Sequence, residues 1–338
     1  MRAALSVLLL AITLTIAGSA GGPGRPVIAA AQAPAREPPA REPPAREPNE
    51  LGRVMILEYH KIDRPESRWT RTPENFRRDL ERLWERGYRL VALNDYLDGK
   101  IALPAGTTPL ILTFDDSSPG QFRYVQRGRD WVIDPECGLG ILEAFAREHP
   151  GFGRAATFYV LPGANPPNRL FNQPALAARK LQYLASQGYE IGNHSLWHAE
   201  LGRYPESVVR EQLAGAQEWV QRHVPGYRFR SLALPMGSYP KQLAWAVSGE
   251  AKGLTYKHDA ILMVAGGAAP SPHARSFDAH RLPRIQAVER DLDRWITYFD
   301  RNPEKRYVSD GDFATITVPS GSTAKLGKGR AARVIERR

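Results

Sequence analysis

From Arg53 onward, short apolar runs alternate with amphipathic stretches. Val54-Met55-Ile56-Leu57 reads as a buried strand that ends at Glu58-Tyr59-His60. Pro73 to Gly87 predicts a helix: Thr72 can cap it, Pro73 suits its first turn, and Phe76, Leu80, Leu83 and Trp84 share one face. Leu110-Ile111-Leu112 predicts a second buried strand, which runs directly into Asp115-Asp116. The rhythm then repeats. Helices are expected over 141–147, 176–186, 206–223, 241–250 and 291–301. Strands are expected over 156–161, 189–192, 232–234, 260–264 and 313–318. Strand and helix alternating this often imply a parallel α/β sheet with right-handed crossovers. A distorted, incomplete (β/α) barrel is the first expectation and an open doubly wound parallel sheet the second. In both, chemistry gathers beyond the carboxyl ends of the strands.

The ends of the chain read differently. Arg2, an apolar run from Ala3 to Ala17 and the small residues Gly18-Ser19-Ala20 describe a secretory signal over 1–20, or an uncleaved N-terminal anchor. Residues 21–52 read as a disordered linker, because the Pro-Ala-Arg-Glu-Pro repeat between Pro34 and Pro48 favours an extended polyproline II spacer. The domain proper is expected over 53–319, and residues 320–338 as a disordered basic tail. That tail carries six basic residues and a single acidic one, Glu336, so half of the net +10 is local to it. Such a tail can hold an anionic envelope polymer or lipid surface by charge. Nucleic acid is a poor fit for an exported chain with no reading motif. The single cysteine, Cys137, excludes an internal disulfide and reads as a small buried hydrophobe. An extracytoplasmic monomer resting on one apolar core is the expectation.

Two motifs carry candidate chemistry. Thr113-Phe114-Asp115-Asp116 and His194-Ser195-Leu196-Trp197-His198 both follow predicted strands. Neighbouring carboxylates repel unless a cation lies beside them, and histidines four apart can converge on one ion. Taken singly, Asp-Asp is also ordinary turn chemistry and the histidines could be a loop pair. Taken together, they resemble the polysaccharide deacetylases, the carbohydrate esterases with a NodB-type domain. The resemblance covers roughly residues 53–318. It implies a distorted (β/α) barrel and removal of N-acetyl groups from N-acetylglucosamine-type polymers. By this likeness Asp116, His194 and His198 hold a divalent metal, zinc first with cobalt, nickel or manganese as alternatives, and Asp115 is the catalytic base.

The sequence departs from the family at two places. Ala233 stands where the third motif usually carries an arginine, and Arg284, in Leu282-Pro283-Arg284-Ile285, could supply that charge from another strand end. The late Leu-x-His that gives the general acid is not evident. His60, at the end of the first strand, is the better replacement, with His280 weaker and Asp310 offering no imidazole. A backbone donor near Met236-Gly237, with Tyr239 adjacent, is the expected oxyanion partner. Three other readings remain open. One is a metal hydrolase of another amide or ester, and one is a wall-binding module that has lost turnover. The last is a glycosidase pairing Asp115 with Glu58 or Glu190, which leaves the histidine pair unexplained.

Overall fold

The computed structural model describes residues 46–327 and 332–337. Seven strands follow one another around a ring: β1 Met55–Tyr59, β2 Thr108–Phe114, β3 Thr157–Val160, β4 Glu190–Asn193, β5 Ser231–Ala233, β6 Ala260–Gly266 and β7 Leu282–Gln286. Each pairs in parallel with the next. β7 closes onto β1 through Leu57–Ile285. The barrel is thus one strand short of a full eight-stranded (β/α) ring, and its closure rules out the open sheet. A short strand, Tyr88–Leu90, pairs with the first half of β2 beside the ring.

The main outer helices are α1 Pro73–Glu85, α2 Gly138–Glu148, α3 Ala177–Ser186, α4 Glu206–His223 and α5 Glu289–Arg301. Thr72 caps α1 by accepting the Asn75 N–H, and Phe76, Leu80 and Leu83 are buried as the sequence pattern requires.

Side chains on a strand alternate between two faces, and the packing follows that rule. Met55, Leu57 and Tyr59 cluster with the buried face of α1. Val54 and Ile56 instead cluster with Ile111, Tyr159, Ala233, Leu262 and Leu282. This second set fills the barrel. Counting upward by two from Ile56, Ile111 and Leu282 reaches Glu58, Thr113 then Asp115, and Arg284. The interior therefore changes from aliphatic to ionic at its carboxyl end.

Several boundaries differ from the sequence reading. The helix expected over 241–250 is reduced to Ala244–Val247, followed by a hairpin of Ser248–Ala251 and Leu254–Lys257. Its two-residue turn, Lys252-Gly253, has positive φ at both positions, the geometry that matches the twist of a hairpin. Thr315–Val318 is a strand, but it pairs with Arg333–Glu336 in a separate two-stranded sheet. The tail is therefore not wholly disordered, and Leu326 also bridges Ala274.

The linker likewise ends before residue 52. Asn49 and Glu50 are buried, and the Glu50 carboxylate accepts from the Tyr307 hydroxyl at 3.0 Å and the Thr317 N–H at 2.9 Å. The expected signal or anchor over 1–20, the repeat up to residue 45, and residues 328–331 and 338 lie outside the described residues. Among the described residues no helix is long and apolar enough to cross a membrane.

Candidate metal centre and its acids

Asp115 and Asp116 lie just past β2. On a continuing strand they would face opposite sides, but φ turns positive at Asp116 (75°) and Ser117 (43°), and both carboxylates reach the mouth. The turn is tied down on each side. Ser117 Oγ donates to the Asn168 carbonyl at 2.7 Å and accepts the Leu161 N–H at 3.1 Å. Gln121 Nε2 donates to the His60 carbonyl at 2.5 Å and to the Asp115 carbonyl, stapling the end of β1 to the end of β2.

The histidine loop is built from Asn193, the last residue of β4. Its Oδ1 accepts the Ser195 N–H at 2.9 Å. Its Nδ2 donates to the Leu213 carbonyl and faces His258 Nε2, both at 3.1 Å. Ser195 Oγ then accepts the N–H groups of His198 and Ala199 at 3.0 Å. This holds the left-handed conformations at Ser195 (φ 67°) and His198 (φ 72°) that fold both imidazoles towards Asp116.

His194 Nδ1 lies 2.9 Å from the Ala233 carbonyl. A carbonyl can only accept, so Nδ1 carries the proton and Nε2 presents a lone pair. His194 Nε2 is 3.2 Å, and His198 Nε2 3.3 Å, from Asp116 Oδ1. That oxygen is buried and has no hydrogen-bond partner. Three ligand atoms lie within 4.8 Å of one another around it. Burial disfavours charge on both partners. Even so, the imidazoles hold Asp116 far below the usual carboxylate range, while Asp115 and Asp116 raise the His194 pKa. Burial, with His194 close by, pushes His198 down to about 4. An orphaned carboxylate oxygen between two imidazole nitrogens fits a divalent cation with N₂O donors.

Asp115 has a different partner. Arg284, fully buried, grips it with both arms: Nη1 to Oδ1 at 2.8 Å and Nη2 to Oδ2 at 2.7 Å. The guanidinium is itself fixed by Thr113 Oγ1 at 3.0 Å and the Met263 carbonyl at 2.7 Å. Burial would raise the Asp115 pKa, but Arg284 and the nearby imidazoles bring it below the ordinary value. Ala233, in the place of the family arginine, is a methyl in the barrel interior, and the charge enters from β7 instead.

His60 directly follows β1, its ring 4.6 Å from that of Trp69, and burial lowers its pKa. His60, Asp115, Asp116, His194 and His198 line a cavity of about 340 Å³ whose other walls include Trp69, Asn168, Met236 and Val264. A larger cleft of about 700 Å³ lies among Asn49, Arg53, Arg275 and Lys325, away from the acids and imidazoles.

Not every expected residue reaches the mouth. The Gly237 N–H is committed to the Leu234 carbonyl at 3.0 Å, so it is not a free oxyanion donor. Tyr239 donates its hydroxyl to the His280 carbonyl at 3.0 Å, and His280 itself is outside the cavity walls. Asp310 accepts from Thr315 and Thr317 at the far C-terminal segment. Glu190 is bound to Thr157 Oγ1 and the Asn94 N–H. Glu58, which the sequence offers only as a glycosidase acid, lies inside the cluster, 3.4 Å from Arg284 Nη2.

Residues 151–255 match the family model for polysaccharide deacetylase. A search of curated proteins found no match. The Streptococcus pyogenes deacetylase PplD, solved with acetate, superposes with a TM-score of 0.54 at 17% identity, covering 72% of this chain and 97% of that one. IcaB from Ammonifex degensii gives 0.52 at 17% identity, covering 73% and 97%. A polysaccharide deacetylase from Bacillus cereus gives 0.52 at 17%, covering 72% and 68%. The matched segment is thus similar to polysaccharide deacetylases, and the superpositions show that the barrel fold is shared with these solved structures.

Proposed function

We propose that this chain is an exported, metal-dependent hydrolase that removes N-acetyl groups from an N-acetylglucosamine-containing polysaccharide. The observation that carries the reading is the pairing of two unlike carboxylates. Asp116 faces His194 and His198, while its neighbour Asp115 is held by Arg284. Asp116, His194 and His198 would hold the cation, with zinc the first choice for this donor set. Such an ion supplies Lewis acidity, which polarises a carbonyl and lowers the pKa of water. Asp115, kept ionised by Arg284, takes the proton of the attacking water. His60, with a ring nitrogen within 4.8 Å of an Asp115 carboxylate oxygen, gives a proton to the departing amine. Trp69, 37% exposed at the rim, offers a flat apolar face to a sugar ring. That PplD was solved with acetate is in keeping with an acetyl-sized product in such a mouth.

The signal-like residues 1–20 support export, and the basic residues of 325–338 support contact with an anionic polymer or membrane surface. N-terminal sequencing of the exported form and cell fractionation test the first. Salt-dependent release from envelope fractions tests the second.

The enzymatic reading is tested by acetate release from chitooligosaccharides and from peptidoglycan. Release that a chelator abolishes and zinc restores is expected. A metal-loaded protein that frees acetate from neither glycan contradicts it.

A further inference from the structure

The cleft of about 700 Å³ belongs to the amino end of the barrel, away from the acids and imidazoles. Arg53, on its wall, comes two residues before β1 begins, and Val54 bridges Ala269 beside it. Asp115 and His194, by contrast, follow the carboxyl ends of β2 and β4. Four cations line the cleft, Arg53, Arg275, Lys305 and Lys325, against one acid, Glu304.

These cations come from four distant stretches of sequence, and the backbone brings them together in two pairs. The Arg53 N–H donates to the Lys305 carbonyl, and the Arg275 N–H to the Lys325 carbonyl, both at 2.7 Å. Glu304 Oε1 lies 3.7 Å from Lys305 Nζ and answers that charge alone. Arg53 Nη1 donates to the Ala268 carbonyl at 2.8 Å, which fixes the guanidinium without neutralising it. Among the described residues no carboxylate pairs with Arg53, Arg275 or Lys325. Like charges gathered in a concavity with low-dielectric walls focus a positive potential, and an anion placed there relieves their repulsion.

We propose that this cleft binds a phosphodiester-bearing ligand and so tethers the protein by the end away from its mouth. A guanidinium fork matches two phosphate oxygens, and the ammonium groups add point charge. The cleft is of small-molecule size, so it takes the phosphodiester together with the polar body that carries it. Beyond Lys325 the sequence adds Lys328, Arg330, Arg333, Arg337 and Arg338 with Glu336 as the one acid, so a longer ligand meets the same sign of charge past the cleft. A phosphodiester polymer and a phospholipid headgroup share this chemistry. The site does not depend on which reaction the mouth performs.

The test is binding of the full-length protein to three probes: poly(glycerol phosphate), vesicles of phosphatidylglycerol in phosphatidylcholine, and polyglutamate. Arg275→Gln with Lys325→Gln should weaken binding to the phosphodiester probes by about tenfold or more, the loss of charge-assisted contacts. Arg330→Gln with Arg333→Gln removes the same charge from the tail and should weaken it by about threefold or less. Arg275 and Lys325 are both exposed, and Arg275→Gln alone serves as the probe should the double variant fail to fold. Tighter binding to the polymer assigns the site to a polymer, and tighter binding to vesicles assigns it to a lipid headgroup; either supports it. No binding to either phosphodiester probe, polyglutamate bound as tightly, or equal losses in the two double variants overturns the proposal. Acetate release reports on the mouth alone, so the failure of one reading leaves the other standing.

Discussion

Arg284 decides whether Asp115 can act as a base. It joins Asp115, Thr113 and the Met263 carbonyl, and it is the nearest cation to Glu58. Replacing it by methionine would leave two buried acids facing one another. We expect Arg284→Met to lose about 3–5 kcal/mol in denaturant unfolding, the usual cost of stripping one partner from a buried ion pair. In whatever folded protein remains, the acid limb of the rate profile should move to higher pH. Burial would then raise the Asp115 pKa with only the imidazoles of His194 and His60 left to oppose it. An unshifted limb would mean that another group titrates there. At this scale much is legible in the sequence. Asp115, Asp116, His194 and His198 are marked by their places after apolar runs, and Arg284 by its place in another strand. Glu58 reads there as an alternative acid, because sequence places it at a strand end but cannot show that it meets Arg284 and His60.

At the scale of the element, the histidine loop depends on Asn193, which satisfies Ser195, Leu213 and His258 at once. Asn193→Ala removes the acceptor that fixes Ser195 in its left-handed conformation. We expect about a 10- to 100-fold loss of metal affinity, the usual effect of removing a group that orients a ligand. Equilibrium dialysis checks it, and unchanged affinity would mean that Ser195 Oγ suffices. Gly120→Ala is predicted to prevent folding, because a Cβ there would sit 1.8 Å from the Ile62 carbonyl oxygen. Soluble expression with a native circular dichroism spectrum would contradict that. Strands and caps are readable wherever burial and periodicity agree, as for α1 with Thr72. The stretch 241–250 is not: its apolar spacing suits a helix, but the positive φ at Lys252-Gly253 turns it into a hairpin.

For the whole molecule, ring closure with seven strands depends on pairings between distant residues, such as Leu57 with Ile285, that no local pattern encodes. The pairing of Thr315–Val318 with Arg333–Glu336 is hidden for the same reason, under a basic composition that reads as disorder. One buried charge should be felt by the entire fold. Lys180 is fully buried, donates only to the carbonyls of Phe171 at 3.0 Å and Asn172 at 3.4 Å, and burial lowers its pKa from 10.5 to about 7. The unfolded chain keeps that proton up to about pH 10.5, so between pH 7 and 9 it binds more protons than the native state. Stability should therefore rise across that window, on the order of 2 kcal/mol, and Lys180→Met should flatten the rise. Denaturant midpoints at the two pH values read it directly, and equal slopes in both proteins would contradict it.

The central claim is that Asp116, His194 and His198 grip one divalent ion while Asp115 stays free to take a proton. Elemental analysis of the wild-type, Asp115→Asn and His194→Ala proteins, with acetate release measured on the same samples, tests it most directly. We expect one equivalent of metal in the wild type and in Asp115→Asn, little in His194→Ala, and acetate from the wild type alone. Metal retained by His194→Ala, or turnover retained by Asp115→Asn, would contradict the account.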